Sequence, residues 1–477
     1  MDQLDQYRQR IQDDLRGLIA GEVRCDDLFL QLYASDASIY EIRPLGVVRP
    51  RSRADVSACV QYAAEKQIPI HARGAGTGVA GQSLGPGLVL DFSRHLRRII
   101  RSTPDTIRVQ PGIVYERLNA QLCSRKRIFG PDPSLSGVTT IGSMIATDAT
   151  GSRWLKYGSV RRHVLSLQVV LADGQMLELG TEPLVGGVSA DPDPRKRDLV
   201  TRVAALLAEQ ADCIRQHQPK CPLDRCGYNL NGVLSEGRLD VARLLAGSEG
   251  TLALMTEALL ATQGLPPHQG VALLLFDSLE KASRAVLEIL PLRPTACDLM
   301  DRRQLSLARE TEVRLDLLIP AETEAVLLVE MDGDDPVELR ERLHQMTDDL
   351  WHQKRLAFGA RQALDPEEVA LFWQLAANVQ PALYRVKGRS RPIPAVEDVA
   401  VAPELLPEFL PACKMSSSAT RLPRRCCATP AKGSCTSIRS WTWPTRPTCS
   451  ACANWPMSCT PRSSRPGGRS AAGMPTG

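Results

Sequence analysis

The stretch Arg73-Gly-Ala-Gly-Thr-Gly-Val-Ala-Gly-Gln82 follows a short apolar run, Ile68-Pro-Ile-His71, and precedes another, Leu88-Val-Leu-Asp91. Four glycines within eight residues, set between two extended segments, describe a loop whose backbone approaches something closely. Glycine removes the Cβ that would block such an approach and frees positive φ, so successive N–H groups can converge on an anion. Read alone, the loop is equally a tight turn. It differs from the dinucleotide fingerprint because a strand pattern follows it, where that fingerprint has a helix. A nucleotide cradle therefore needs support from elsewhere in the chain.

Four further segments supply it: Gly130-Pro-Asp-Pro-Ser134, Thr140-Ile-Gly-Ser-Met144, Lys156-Tyr-Gly158 and Gly247-Ser-Glu-Gly-Thr-Leu252. In this order and spacing they resemble the FAD-linked oxidases and dehydrogenases of D-2-hydroxy acids, which include the glycolate oxidase flavin subunit, D-lactate dehydrogenase and D-2-hydroxyglutarate dehydrogenase. The resemblance covers roughly residues 30 to 411, and the joint occurrence of the motifs is far more specific than any one of them. It implies an α+β fold: a vanillyl-alcohol-oxidase (PCMH-type) FAD-binding domain of two α+β subdomains, plus a ferredoxin-like cap. The expected divisions are an N-terminal helix over 1–30, the FAD-binding domain over 31–265, the cap over 266–411 and an irregular, disordered tail over 412–477.

Composition agrees with a soluble, multidomain chain. At 477 residues it is too long for one simple core, and 43% hydrophobic with 23% charged residues is globular. The charged start, Met1-Asp-Gln-Leu-Asp-Gln-Tyr-Arg-Gln-Arg10, is not a signal peptide, and no apolar run reaches the roughly 18 residues of a membrane span. The expected location is the cytoplasm or the periphery of the inner membrane. The net charge of +4 misleads, because residues 413–477 hold ten Lys and Arg and no Asp or Glu. The remainder carries 48 basic against 54 acidic residues, or −6. That body has no nucleic-acid signature.

Taken in order, periodicity predicts a surface helix over 1–20, then strand, helix over 53–66 and strand leading into the glycine loop. A strand near Ile107, a helix over 114–126, a strand over 164–172 ended by Asp173-Gly174, a helix over 199–216 and a strand over 252–260 follow. From Gly270 two strand–helix–strand blocks predict the ferredoxin-like cap. A helix over 365–376 comes next, and Glu397–Glu404 again matches the family.

By resemblance, Arg73, Gly74, Ala75, Gly76, Thr77 and Gly78 hold the FAD pyrophosphate, and Pro131 and Asp132 lie beside the isoalloxazine. Thr140, Gly142 and Ser143 continue the flavin contacts, as do Glu249 and Thr251. Thr77 stands near the place where covalent relatives carry a flavin-linked histidine, so FAD is expected to be non-covalent. Asp148 replaces an amide that relatives turn toward the flavin, which adds a negative charge and removes a donor. Many relatives place a substrate-binding arginine just after a Trp, but Trp373-Gln-Leu-Ala376 has alanine there. Lys387, Arg389 and Arg391 are alternative carboxylate binders, or solvated surface charges. Cys221 and Cys226 are too far apart for a zinc pair and read as ordinary thiols. Cys449 and Cys452 are followed only by Cys459, which is too few thiolates for an iron–sulfur cluster.

The tail departs from the family. Relatives carry a His-Ala-Gly-x-Gly-x-Leu-His motif that binds a divalent metal, and later a Gly-x-His-x-Asp-Gly motif with the base. Here the last histidine is His352, so both motifs are missing. If each codon is rebuilt from the third base of one residue and the first two of the next, Cys427 onward can read x-His-Ala-Gly-Lys-Gly-Gln-Leu-His. In that frame Gly468 onward can read Thr-Ile-Ser-Gly-x-His-Ala-Asp-Gly. The pattern predicts a frameshift near Pro411–Cys413.

The resemblance thus implies oxidation of a small D-2-hydroxy acid (D-lactate, glycolate or D-2-hydroxyglutarate type) to the 2-oxo acid by hydride transfer to FAD. Electrons would pass to a quinone, a cytochrome or an iron–sulfur partner. The alternatives are a relative that uses oxygen and a catalytically impaired FAD-binding subunit of a larger redox complex. The divalent metal expected in the family has no ligands in the sequence as it stands.

Overall fold

The computed structural model describes residues 3–218, 227–311, 313–377, 390–419, 424–429 and 434–442. Its first unit is a four-stranded sheet in the order Glu22–Arg24, Gly46–Arg49, Leu88–Asp91, Ile70–Arg73. The last three strands run parallel. Burial on both faces explains why Leu88, Val89 and Leu90 form an unbroken apolar run, all fully buried. Helix Arg53–Glu65 starts at Ser52, whose side chain accepts from the Asp55 N–H, and covers one face with Val56, Cys59 and Val60. The N-terminal helix, expected at the surface, spans Gln3–Leu18 and packs Ile11 and Leu15 into the same cluster with no exposure. Its apolar residues recur on one face only, so the helix is amphipathic.

The second unit is a five-stranded antiparallel sheet: Ile99–Ser102, Thr106–Val109, Leu254–Ala261, Val164–Val170, Met176–Leu179. Its central strand, Leu254–Ala261, alternates buried and half-buried positions, the signature of one face on the core. The Asp173-Gly174 turn joins Val164–Val170 to Met176–Leu179 as expected, with Gly174 at φ +81°. The single helix predicted over 199–216 is instead two, Pro194–Glu209 and Ala211–Gln216, broken where Gln210 leaves helical geometry (φ −95°, ψ 11°), and the first starts earlier than predicted because an Asp193 cap and a proline in its first turn open it. The periodicity was visible, but the cap lay upstream of it.

The cap is ferredoxin-like. Two strand–helix–strand blocks interleave, His268–Phe276, Leu279–Ile289, Ala296–Asp301 and Ala325–Gly333, Pro336–Asp348, Gly359–Ala363. The core strand order is Gly359–Ala363, His268–Phe276, Ala325–Gly333, Ala296–Asp301. Both crossover helices lie on one face, where Ala282, Val286, Ile289, Leu339, Leu343 and Met346 are buried. Truncating Ile289 to alanine would cost about 2–5 kcal/mol. The opposite face takes helices Arg302–Thr311 and Pro366–Ala377 through Leu305, Ala308, Phe372 and Leu375. Beyond Ala296–Asp301 the sheet continues with Arg424–Thr429, Ser434–Thr442 and Ser390–Ala400. No described helix is long and apolar enough to cross a membrane.

Candidate functional site

A cleft of about 1680 Å3 is lined by residues of the first two units and of the cap. That exceeds the roughly 300–1,000 Å3 of an ordinary small-molecule pocket, so a large cofactor and a second molecule can share it. The glycine loop forms part of its wall: Arg73, Gly74, Gly76, Thr77 and Gly78 all line it, and Ala75 does not. Among the described residues, no backbone N–H from Gly74 to Gly78 is donated to a protein acceptor. Unspent donors of this kind are costly unless a ligand or water takes them. The glycines are demanded by close contacts. A Cβ on Gly74 would meet the Thr140 Oγ1 at 2.3 Å, and Gly76 sits at φ +71° with the Arg73 guanidinium 2.7 Å from where its Cβ would be.

Arg73 itself braces the loop. Its guanidinium donates to the Tyr33 carbonyl at 3.2 Å and the Ser35 carbonyl at 2.8 Å, and stacks over the Tyr33 ring. Burial draws its pKa below the usual arginine value, partly offset by Asp36. Thr140 caps the short helix Ile141–Ala146, and its hydroxyl shares a 2.9 Å hydrogen bond with the Ser143 hydroxyl. Both line the cleft. Gly142 lines it too, but its N–H is already donated to the Pro111 carbonyl at 2.7 Å, so it contributes close packing and no free donor.

Three of the residues expected to contact the flavin do not line the cleft. Asp148 is turned into the protein, 3% exposed at φ +46°, where its carboxylate accepts the Arg161 N–H at 2.9 Å and pairs with the Arg161 Nε at 3.4 Å. The charge that replaced an amide is met by this arginine and does not face the cleft. Thr251 lies off the cleft wall, its hydroxyl donating to the Ser248 carbonyl at 2.6 Å and sharing a hydrogen bond with Tyr228. Glu249, two residues earlier, does line the cleft, held at φ +52° with its N–H on the Ala146 carbonyl. Pro131 is likewise absent from the wall, whereas Asp132 and Pro133 are on it.

The side chains that join residues 152–156 to the cap were not anticipated. Arg153 donates from Nε and Nη2 to the two oxygens of Glu330, each at 2.7 Å, and its Nη1 reaches Asp132 at 3.3 Å. Trp373 donates its indole N–H to the same Glu330 at 2.7 Å, and the Arg153 guanidinium lies 4.7 Å over its ring. Burial opposes the Arg153 charge, but Glu330 and Asp132 outweigh it and raise its pKa. Ser152 donates to Asp298, and Lys156 to Asp332 at 2.6 Å. One short segment thus grips three acidic residues on two cap strands. Its trace in sequence is the Lys156-Tyr-Gly158 motif, whose Lys156 makes one of these contacts.

Lys387 and Arg389, with Cys221 and Cys226, lie outside the described residues, and for Arg391 only the strand backbone is described. Ala376 lines the cleft and offers no cation there. Among the described residues no cluster of three or more His, Cys, Asp or Glu could hold a metal ion. The family's metal does not fit the residues present, since no histidine follows His352.

Residues 44–180 match the family described as FAD binding domain, and residues 265–427 that described as FAD linked oxidases, C-terminal domain. Over 396 residues the chain is 33% identical to the D-2-hydroxyglutarate dehydrogenase of Pantoea ananatis, an alignment covering 79% of this chain and 39% of that protein. It is 28% identical over 377 residues to the glycolate oxidase subunit GlcD of Bacillus subtilis, covering 78% of this chain and 67% of that one. The chain therefore spans about two fifths of the length of the D-2-hydroxyglutarate dehydrogenases it matches. Among solved structures, an alkyldihydroxyacetonephosphate synthase superposes with a TM-score of 0.64 at 18% identity, over 91% of this chain and 80% of that one. At that identity the likeness shows the fold alone. Over these two stretches the chain therefore carries an FAD binding domain and the C-terminal domain of the FAD linked oxidases, and the glycine loop and the cap that line the cleft belong to them.

Proposed function

We propose that this chain binds FAD non-covalently and oxidises a small D-2-hydroxy acid to the 2-oxo acid. The observation that carries the reading is the set of unspent N–H groups of Gly74, Gly76, Thr77 and Gly78 on the cleft wall. They suit the pyrophosphate of a dinucleotide, because fixed N–H dipoles stabilise an anion without a metal. Bound flavin would supply the hydride acceptor. The chain's own part is to hold the ring against the Asp132–Pro133 turn, to seat the cap through Arg153 and Glu330, and to keep water from the reacting carbon. Thr77 has no imidazole with which to link the flavin covalently. The acceptor of the electrons is a quinone, a cytochrome or an iron–sulfur partner, and the site of action is the cytoplasm or its membrane face.

Reconstitution with FAD, followed by anaerobic addition of D-lactate, glycolate or D-2-hydroxyglutarate, tests the reading. Flavin absorbance that appears and then bleaches supports it. No flavin uptake overturns it. A second reading, a catalytically impaired flavin-binding subunit, is favoured by the missing histidine motifs after His352. Flavin uptake without bleaching by any of the three acids would select it. Peroxide formed during turnover in air would point to oxygen as the acceptor.

A further inference from the structure

Gln304 is 1% exposed and lines the cleft, yet neither its Oε1 nor its Nε2 has a hydrogen-bond partner among the described residues. Its backbone is well placed, because its N–H is donated to the Asp301 carboxylate at 3.0 Å. The next residue, Leu305, packs with Phe372 and Leu375 on one face of the cap sheet, so Gln304 and Ala376 belong to the same side of the cap. Burying a primary amide with all its hydrogen-bonding capacity unmet is unfavourable, and folded proteins rarely keep such a group without a ligand to satisfy it. An apolar side chain of similar length would fill the position better.

The cations on the cleft wall bear on what that ligand is. Arg73 is held by two carbonyls and Arg153 by two carboxylates, which leaves the Arg340 guanidinium among the described residues there. Ala376 adds none on the side of Gln304. An uncharged amide presents both donors and an acceptor. A hydroxyl satisfies both at once, whereas a carboxylate would set its lone pairs against the amide oxygen.

We infer that Gln304 is a specificity-determining residue that reads a hydroxyl on the carbon chain of the substrate beyond its reacting carbon. The preferred class is thus a hydroxylated monocarboxylic 2-hydroxy acid, ahead of a 2-hydroxy dicarboxylate. The inference rests on the oxidoreductase reading of this cleft and narrows its substrate.

D-Glycerate and D-lactate differ by one hydroxyl and are the probes, with D-2-hydroxyglutarate as the dicarboxylate. Binding to the flavin-loaded full chain is measured by calorimetry for the wild type, Gln304→Met and Gln304→Glu. The expected result is D-glycerate binding about tenfold tighter than D-lactate in the wild type, with that preference lost in Gln304→Met and D-lactate binding unchanged. Ligand-free Gln304→Met should also melt higher than the wild type, because an unpaired buried amide has been removed. Gln304→Glu keeps the shape but loses the donors, and should also lose the preference. Equal wild-type binding of D-glycerate and D-lactate, tightest binding of D-2-hydroxyglutarate, or a Gln304→Met effect confined to flavin affinity would each overturn the inference while leaving the oxidoreductase reading intact. Failure to take up flavin overturns that reading, and the inference falls with it.

Discussion

Arg153 and Glu330, 177 residues apart in sequence, meet in a two-point ion pair with both N–O distances at 2.7 Å. Glu330 has no exposure, and the pair joins the Asp132 turn of the FAD-binding unit to the cap sheet. Replacing Glu330 takes away both short contacts of the Arg153 guanidinium and leaves it only Asp132 at 3.3 Å. Glu330→Gln should lower the unfolding free energy in denaturant titrations by about 1–3 kcal/mol, less than for a wholly unpaired buried charge because Asp132 remains. The double variant Arg153→Met/Glu330→Leu should recover much of that loss, since a buried pair can be replaced by apolar groups at little cost. A Glu330→Gln protein as stable as the wild type would show that the pair contributes nothing.

Gly74→Ala should reduce flavin content at purification by tenfold or more. The new Cβ would lie 2.3 Å from the Thr140 Oγ1, a contact relieved only by shifting the loop away from the cap of helix Ile141–Ala146. Circular dichroism of the variant should stay native, and flavin absorbance reports the loss. Unchanged flavin content would mean that the loop does not hold the cofactor.

Stability should fall as pH drops below about 6.5. His163 is 3% exposed, with one ring nitrogen 2.8 Å from the Tyr157 carbonyl. Burial holds its pKa below the ordinary 6.5, against a smaller upward pull from that carbonyl. The unfolded chain takes up the proton first, so the stabilisation is complete above 6.5 and is lost as pH falls through the folded-state value. His71 is also held low by burial and adds with the same sign. Urea denaturation at pH 7.5 and pH 5.5 measures the slope. His163→Gln should flatten it without abolishing it, and an equal slope in wild type and variant would exclude His163 as the cause.

Sequencing the gene across codons 405–477 should reveal one base gained or lost near codon 411. The corrected frame should encode both histidine motifs, and the resulting protein should bind a divalent metal and turn over a D-2-hydroxy acid faster than the present chain. A confirmed reading of the present frame would leave a chain without those ligands, expected to show minimal activity.

The fold was largely legible in the sequence because its determinants are local. The glycine loop between two short apolar runs, and the two strand–helix–strand blocks after Gly270, announce themselves by spacing and periodicity. Thr140 could be placed on the cleft from its motif, and so could Glu249. Asp148 could not, because its direction depends on Arg161, which occupies its carboxylate from the next segment. Thr251 shares a motif with Glu249 yet turns elsewhere, since its hydroxyl is captured by the Ser248 carbonyl.

The sequence by itself determined the flavin-type loop, the ferredoxin-like cap and the absence of the family's histidine motifs. Only the tertiary structure decided that Arg153 would meet Glu330, that Trp373 would donate to that carboxylate, and that the Gln304 amide would be buried without a partner among the described residues. Hydrophobic periodicity records which face of an element is covered, but it carries no information on which distant polar groups converge there. That choice is made when the cap packs against the FAD-binding unit, where burial turns ordinary surface charges and amides into paired or waiting groups.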